Sequence, residues 1–445
     1  MPWEIYVLCF GIIIFTALFY MRAFNPAISS QDTAFCMERA INSIRGMVNW
    51  QPTFYILWLK AILCLWSSAS AVLLFQYIWF AFVFLEGMRF LYRRGISSVF
   101  IVLITVLTVL NCANMVHLTT IWKDIPYAIS VLWLTVLTAR LILEKQNHKW
   151  LIYVELIVAL ICTAFMRQNG MVIFLIFIPI LLCSFRKSWK MCCSCGIAVT
   201  LAILISFPLY AYLGIKNDEG GGKFVGLGQD IMAAYYNGGT LSDSAMRVVN
   251  ALSNNNIAEF VYNPYVAQDY VYQSFELNVP EFIAAYIDTF IRNPVLMTRE
   301  IVNRQDGVWN LLAGQDGGMR LVNYTNAIDG YGSWNSFVPE RKNNLLTERV
   351  SEFTAMSASH PLLNMVEWRA GIWVLCIVFA FAVCVFFKNN RKLWILFAVP
   401  IGHVISLVLS LGWSDYRYYW PLTLMSMFLI LLTLTMNEHE KNYNG

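Results

Sequence analysis

The sequence predicts an all-α polytopic membrane protein with about ten transmembrane helices and one mostly helical extracytoplasmic domain. Three observations lead there. Of 445 residues, 58% are hydrophobic and only 13% charged, and the mean hydropathy is +0.57; a soluble chain is about half apolar and about a quarter charged. The apolar residues gather into runs that suit a hydrocarbon core of about 30 Å, which takes about 20 helical residues to cross. Charge is divided by location: residues 216–366 hold 10 Lys/Arg against 16 Asp/Glu, and the remainder holds 21 against 11. A basic, apolar body therefore carries one acidic, water-loving insert. This composition excludes a soluble enzyme, a disordered chain and a nucleic-acid-binding domain, leaving membrane lipids as the surroundings.

Spans are expected at roughly 4–21, 69–92, 97–118, 125–144, 150–166, 170–186, 191–213, 369–387, 393–413 and 418–436. The first apolar stretch lacks a small-residue cleavage site and reads as an uncleaved span. Pro52–Trp66 is apolar but short and carries Lys60, so it reads as an interfacial or half-inserted helix. Basic residues in short loops mark the cytoplasmic side. With the N-terminus inside, the inner connections collect thirteen: Arg89, Arg93, Arg94, Arg140, Lys145, Lys149, Arg186, Lys187, Lys190, Lys388, Arg391, Lys392 and Lys441. The longer outer segments hold eight: Arg22, Arg39, Arg45, Lys60, Lys123, Arg167, Arg369 and Arg417. Ten spans with both termini in the cytoplasm satisfy this bias, and an eleventh at 52–66 would reverse it. The chain then divides into a membrane module at 1–215, an extracytoplasmic domain at 216–366, and final spans with a short tail at 367–445.

The insert opens on a glycine-rich hinge at Gly220–Gly222, followed by Gly226 and Gly228. Phe282, Ile283, Tyr286, Ile287 and Phe290 form one apolar helical stripe. Pro294 can start a second helix running towards Leu311, and residues 313–340 read as loops. The glycines are too irregular for a phosphate-binding fingerprint. Asn323-Tyr324-Thr325 matches a glycosylation sequon. Of eleven cysteines, most lie in apolar runs, where the thiol acts as a small hydrophobe. Cys192, Cys193 and Cys195 lack the second ligand pair that a zinc site requires.

Only eleven acids lie outside the insert. Glu4, Glu144, Glu367, Glu438 and Glu440 sit at helix ends or in the tail, where solvation accounts for them. Glu86 pairs with Arg89 by helical spacing, and Glu155 is within reach of Arg140. His117 and His403 read as packing residues. Asp32, Glu38, Asp124 and Asp415 remain, all on the outer face. Singly, Asp32 and Asp124 can each be a helix N-terminal residue favoured by the dipole, and Asp415 can be a surface partner of Arg417. Together with Lys123, Arg167 and Arg417 they suit a reaction at the membrane surface. A carboxylate can act as general base on a hydroxyl, and cations can stabilise a departing phosphate. Trp58, Trp122 and Tyr418 to Trp420 suit an interfacial aromatic belt or a cradle for a lipid chain.

The order of Ser29-Ser30-Gln31-Asp32, then Asn49-Trp50-Gln51-Pro52-Thr53-Phe54-Tyr55, then Trp122-Lys123-Asp124 resembles the GT-C superfamily of membrane glycosyltransferases. The likeness is to the branch of protein O-mannosyltransferase-like and bacterial polyprenyl-phosphate-sugar-dependent enzymes. Arg167-Gln168-Asn169-Gly170 and Arg417-Tyr418 resemble further motifs of bacterial members. The resemblance covers the first 170 residues and the last 80, not the insert. It departs from the family's His-Pro-Pro-Leu-Tyr-like segment in having Gln51 for the histidine and Thr53 for the second proline. It implies transfer of a sugar from a polyprenyl-phosphate-linked donor to an extracytoplasmic acceptor, which could be a glycan, protein or lipid. Asp32 would be the base, and Asp124 would orient the acceptor. Lys123, Arg167 and Arg417, with Gln51, Trp50 and Tyr418, would meet the carrier phosphate or substrate. Metal dependence varies in the superfamily, so a divalent cation (Mg or Mn) stays open, although two isolated aspartates supply few ligands. An envelope polysaccharide polymerase or ligase, or a lipid-linked-sugar flippase or transporter, remains an alternative.

Overall fold

The computed structural model describes residues 1–144, 150–216, 225–253, 262–263, 279–312, 335, 345–387, 391–411 and 415–435. Every regular element among them is helical, and the extended pairings are two isolated bridges. Six helices are long and apolar enough to cross a membrane: α1 (Trp3–Ala23), α4 (Ala69–Arg93), α7 (Asp124–Leu143), α10 (Trp189–Tyr212), α19 (Leu393–Ser410) and α20 (Tyr416–Leu434). Two bent pairs raise the number to as many as eight: α5 (Ser98–Leu110) with α6 (Cys112–Leu118), and α17 (Pro361–Glu367) with α18 (Gly371–Phe386). The chain is thus a polytopic helical membrane protein with six to eight candidate spans. The difference from ten arises at α8 (Trp150–Phe165) and α9 (Gly170–Ser184), which have 16 and 15 residues. At 1.5 Å per residue they reach about 24 and 22 Å, less than a hydrocarbon core. α3 (Thr53–Leu65) has 13 residues and is shorter still.

The stretch expected as one span at 97–118 turns by 69° at Asn111. The Asn111 side chain accepts the Asn114 N–H at 2.9 Å and starts a new helix. Asn114 in turn donates to Thr108 O at 3.0 Å and accepts Trp420 Nε1 at 2.8 Å. Asparagine competes for backbone partners in this way wherever a helix can be interrupted. Glu367, expected to be solvated at a helix end, instead accepts the Cys112 N–H at 3.0 Å and the Ser357 hydroxyl at 2.6 Å, so it helps fix the bend.

α7 is the axis of the bundle. In α1 only 22% of the apolar window is buried by protein, but in α7 the share is 83%. Gly87 of α4 permits the close approach here, since an added Cβ would stand 3.2 Å from Val136 and 3.4 Å from the Phe428 ring. Ser130, Thr135 and Thr138 return their hydroxyls to carbonyls one turn back, so these three are satisfied within an apolar setting. In its last turn Arg140 meets Glu155 at 3.5 Å, Glu144 at 3.6 Å and Glu86 at 4.0 Å, and Arg89 meets Glu86 at 3.4 Å. The pairings expected for Glu86 and Glu155 are therefore present.

At the other end of α7 the loops converge. Ile28 pairs with Thr119 and Ile121, and Met47 and Asn49 pair with Lys216. The insert contributes α11 (Val225–Tyr236), α12 (Asp243–Leu252), α13 (Val279–Arg292) and α14 (Pro294–Arg304), the last with its proline in the first turn as expected. Leu227, Ile231, Val248, Leu252, Phe282 and Ala285 form its core. The expected α13 stripe is rotated: Phe282, Ala285 and Thr289 are buried and Ile287 is 53% exposed. Helix Leu345–Ser359 packs instead on α1, where Thr347 donates to Ala23 O. The glycine hinge at 220–222, residues 313–340 apart from Asn335, the sequon, Ser414, Lys145, Lys149, Lys388 and Lys441 lie outside the described residues.

Candidate functional site

Four loops bring charged side chains to the N-terminal end of α7: Asp32; Lys123 with Asp124; Arg167; and Asp415 with Arg417. Asp32 lies in the first turn of α2 (Gln31–Ile41), whose start is fixed by Ser30 N–H donating to Thr33 Oγ1 at 3.1 Å. Thr33 donates to Ile121 O at 2.7 Å, and Trp122 Nε1 donates to Ser30 Oγ at 2.6 Å. These bonds hold α2 against the segment that carries Lys123 and Asp124. Asp124 is the first residue of α7, but it does not cap it: the N-cap is Lys123, no side chain caps the helix, and Asp124 lies against Arg167.

Arg167 stands in the turn between α8 and α9. Gly170 makes that turn: a Cβ there would lie 1.8 Å from Thr163 O, so no other residue fits without moving backbone. Arg417 sits in the first turn of α20, whose cap is Asp415, with Oδ1 accepting the Arg417 N–H at 3.0 Å.

The charges interlock in sequence. Asp124 Oδ1 is 3.1 Å from Arg167 Nε, and Asp415 Oδ2 is 3.2 Å from Arg417 Nε. Asp32 Oδ2 is 3.6 Å from Arg417 Nη1 and 4.0 Å from Lys123 Nζ. Gln51 stands between the last two, accepting from Lys123 Nζ at 2.5 Å and donating to Asp32 Oδ1 at 3.3 Å. An amide has an acceptor and a donor end, so glutamine suits a place between an ammonium and a carboxylate. Tyr418 is the common face of both arginines: Arg167 Cζ is 4.3 Å and Arg417 Cζ 4.7 Å from its ring centroid. Arg417 also lies 4.8 Å from the Trp122 ring and donates to Tyr418 OH at 2.7 Å. Cations over aromatic faces are attracted by the ring quadrupole.

Asp32, Gln51, Lys123, Asp124, Arg167, Arg417 and Tyr418, named from the sequence, thus form one cluster. Trp50 does not join it through its side chain. Its ring stacks edge-on to Phe35 at the rim, and only its carbonyl, with that of Asn49, is tied in by Gln168 Nε2 at 2.8 Å. Sequence reasoning missed Tyr127 and undervalued His403. His403 Nε2 bonds Tyr418 O at 3.0 Å, an acceptor only, so Nδ1 accepts the Tyr127 hydroxyl at 2.8 Å. The Arg167 guanidinium also faces the Tyr127 ring at 5.8 Å. His403 thereby ties together the two rings against which Arg167 lies. His117 bonds Ala113 O at 2.6 Å and stacks on Trp420, in keeping with a packing role.

Three carboxylates and three cations balance, but not evenly. The Asp124 and Asp415 side chains are 2% and 12% exposed, and that of Asp32 is 29% exposed. Burial pushes the Asp415 carboxyl above its ordinary value, and Arg417 opposes the shift. Several buried atoms lack an aligned hydrogen-bond partner: Asp124 Oδ1, Arg167 Nη1, Asn169 Oδ1 and Arg417 Nε. The ion-pair contacts of Asp124 Oδ1 and Arg417 Nε are close but poorly directed. Buried polar atoms are ordinarily satisfied, so such a concentration calls for an explanation. Among the described residues no group of three or more His, Cys, Asp or Glu side chains is placed to hold a metal ion, and three cations surround Asp32 and Asp124. The donors on Arg167 and Arg417 suit an oxyanion instead. A separate apolar groove, lined by Val83, Phe84, Gly87, Leu132, Val136 and Phe428, lies farther along α4, α7 and α20. It is about 12 Å down the helices from the charges and has no part in the cluster. In comparisons with protein-family models, with curated proteins and with solved structures, nothing matched this chain.

Proposed function

We propose that the chain is an integral-membrane glycosyltransferase that moves a sugar from a polyprenyl-phosphate-linked donor to an extracytoplasmic acceptor. The observation that carries the reading is Asp32, the most exposed acid of the cluster, facing Arg417 and Lys123 while Asp124 lies buried against Arg167. Asp32 takes the proton of an acceptor hydroxyl as its oxygen bonds to the anomeric carbon. The bond from that carbon to the phosphate oxygen breaks, and the electron pair leaves with the carrier phosphate. Lys123, Arg167 and Arg417 stabilise the charge that develops there. Asp124 acts through Arg167, which it orients, and Gln51 sets the spacing between Lys123 and Asp32. The accompanying topology has ten spans, with the bilayer thinned locally around the short α8 and α9, both termini in the cytoplasm and the acidic insert outside.

The flippase or transporter alternative draws on one observation, the 69° break between α5 and α6, because broken helices line transport paths. Against it, the charged groups that lack an aligned partner collect at the end of the bundle and not at its middle. The test is Asp32→Asn and, separately, Arg417→Ala in the full chain in its membrane. Both proteins should insert normally and lose glycosylation of an envelope acceptor. Retained transfer by Asp32→Asn would overturn the base assignment, and lipid-linked sugar accumulating on the wrong leaflet would favour the transporter.

A further inference from the structure

We infer that Asp32 is an exchangeable internal counterion, which the phosphate headgroup of an incoming prenyl phosphate displaces from Lys123 and Arg417. The inference rests on the reading that these cations receive a phosphate. The three acids of the cluster are held differently. Asp124 and Asp415 each lie within about 3 Å of an arginine Nε and are almost wholly buried. Asp32 reaches its cations only at 3.6 and 4.0 Å, from a side chain 29% exposed. Contacts of that length and exposure are weak. Its remaining bond, from Gln51 Nε2, is 3.3 Å long.

The cations, by contrast, have unused capacity. Arg167 Nη1 is buried without an aligned acceptor, and Arg417 Nε has only the poorly directed Asp415 Oδ2 at 3.2 Å, although both residues are at least nine-tenths buried. Both guanidiniums lie against the Tyr418 ring, 4.3 and 4.7 Å from its centroid. A phosphate has more oxygens than a carboxylate and can engage both arginines and Lys123. Empty, the site is kept neutral by Asp32; filled, it is kept neutral by the phosphate, and Asp32 is released from its cations. Binding of the donor thereby frees the base.

The experiment measures binding to the purified full-length protein in zwitterionic phosphatidylcholine nanodiscs, with farnesyl phosphate, inorganic phosphate and uncharged farnesol as probes. Asp32→Asn keeps the shape of the side chain and removes its charge. It should bind farnesyl phosphate about fivefold more tightly than the unaltered protein, which is about 1 kcal/mol. Gln51→Glu, which places a fixed rival anion beside Lys123, should weaken it by a similar factor. Farnesol should respond to neither change. A parallel response to inorganic phosphate assigns the site to the free headgroup; a response to farnesyl phosphate alone assigns it to the lipid. If binding is phosphate-dependent but Asp32→Asn leaves it unchanged or weaker, the exchange is wrong and the phosphate site stands. If neither phosphate binds better than farnesol, both are wrong. Tighter binding by Asp32→Asn, with no sugar transfer by the unaltered protein, would overturn the glycosyltransferase reading alone.

Discussion

Arg304 and Arg417 are both buried arginines at the same end of the bundle, yet they are partnered in opposite ways. The Arg304 side chain is wholly buried, as is that of Asp230. Its Nη2 meets both Asp230 oxygens at 3.0 and 2.9 Å, its Nε meets Oδ1 at 3.2 Å, and Nη1 donates to the carbonyls of Val408 and Leu411 at the end of α19. Gly226 leaves the space for this, since a Cβ there would lie 2.5 Å from Arg304 Nη1 and 2.6 Å from Leu411 O. Tyr286 completes Asp230 with a bond of 3.0 Å. Arg417 has instead a poorly aligned Nε contact to Asp415 at 3.2 Å and a looser one from Nη1 to Asp32 at 3.6 Å. A saturated buried pair holds the insert on the membrane helices. On the proposed reading, the less saturated one receives a ligand. Because an ion removed from water needs all of its partners to be stable, the contrast separates structure from function more clearly than burial does.

The largest expected effect breaks the saturated pair. Arg304→Met leaves Asp230 buried without its cation, which should destabilise the insert by about 3–5 kcal/mol. Thermal unfolding or limited proteolysis of the purified protein should show this as early loss of the insert while the membrane helices persist.

Next in size is a pH effect confined to the same cluster. Glu300 is buried beside Asp230 and Arg304 and accepts from Tyr262 OH and from Gln229 Nε2. Burial pushes its carboxyl up to about 7, against the pull of those two donors; Asp230 raises it further and Arg304 lowers it. Burial also pushes the Asp230 carboxyl up to about 6, against Arg304 and Tyr286, so Glu300 is the higher of two carboxyls that take up protons here. A raised carboxyl favours the folded state when protonated. Its contribution is therefore complete below the ordinary value of about 4.5 and is lost as pH rises through about 7. The insert should lose up to about 3 kcal/mol between pH 5 and 8, read as a falling melting temperature. Glu300→Gln should flatten the profile; an unchanged slope would remove Glu300 from the account.

A smaller effect should come from Gly170→Ala, which drives a methyl group into Thr163 O and displaces the Arg167 turn. It should destabilise by about 1–3 kcal/mol and weaken phosphate binding even where the protein still folds. The smallest stability effect belongs to Asp32→Asn, within about 0.5 kcal/mol of the unaltered protein, since Asp32 has only long, partly exposed contacts to lose. A loss as large as that of Arg304→Met would erase the distinction between the two arginines.

What the sequence disclosed follows the same division. Asp32, Lys123, Asp124, Arg167 and Arg417 stand out because charge is rare in an apolar body and its position at run ends is conspicuous. Counting basic residues in loops predicts that they share one face, and the structure gathers them at one end of α7. Tyr127 and His403 could not be found that way: both lie inside apolar helices, and their hydrogen bond joins positions 276 apart. The Asn111 break is hidden because apolar residues continue on both sides of it. Asp230 and Arg304 were illegible for the reverse reason, since in an insert rich in charge nothing marks which two ions will be sealed together across 74 residues. Ile287 was assigned to the buried stripe because it is apolar, yet Ala285 and Thr289 occupy the face that the neighbouring helices cover.

The most direct measurement of the central claim is sugar transfer in a purified system. The full-length protein and its Asp32→Asn variant, matched for folded amount, are given a radiolabelled polyprenyl-phosphate-linked sugar and an envelope acceptor fraction, and released polyprenyl phosphate is followed with time. The account expects transfer by the unaltered protein and a loss of about a hundredfold or more in the variant, the scale of a missing general base. Equal rates from the two proteins would contradict it.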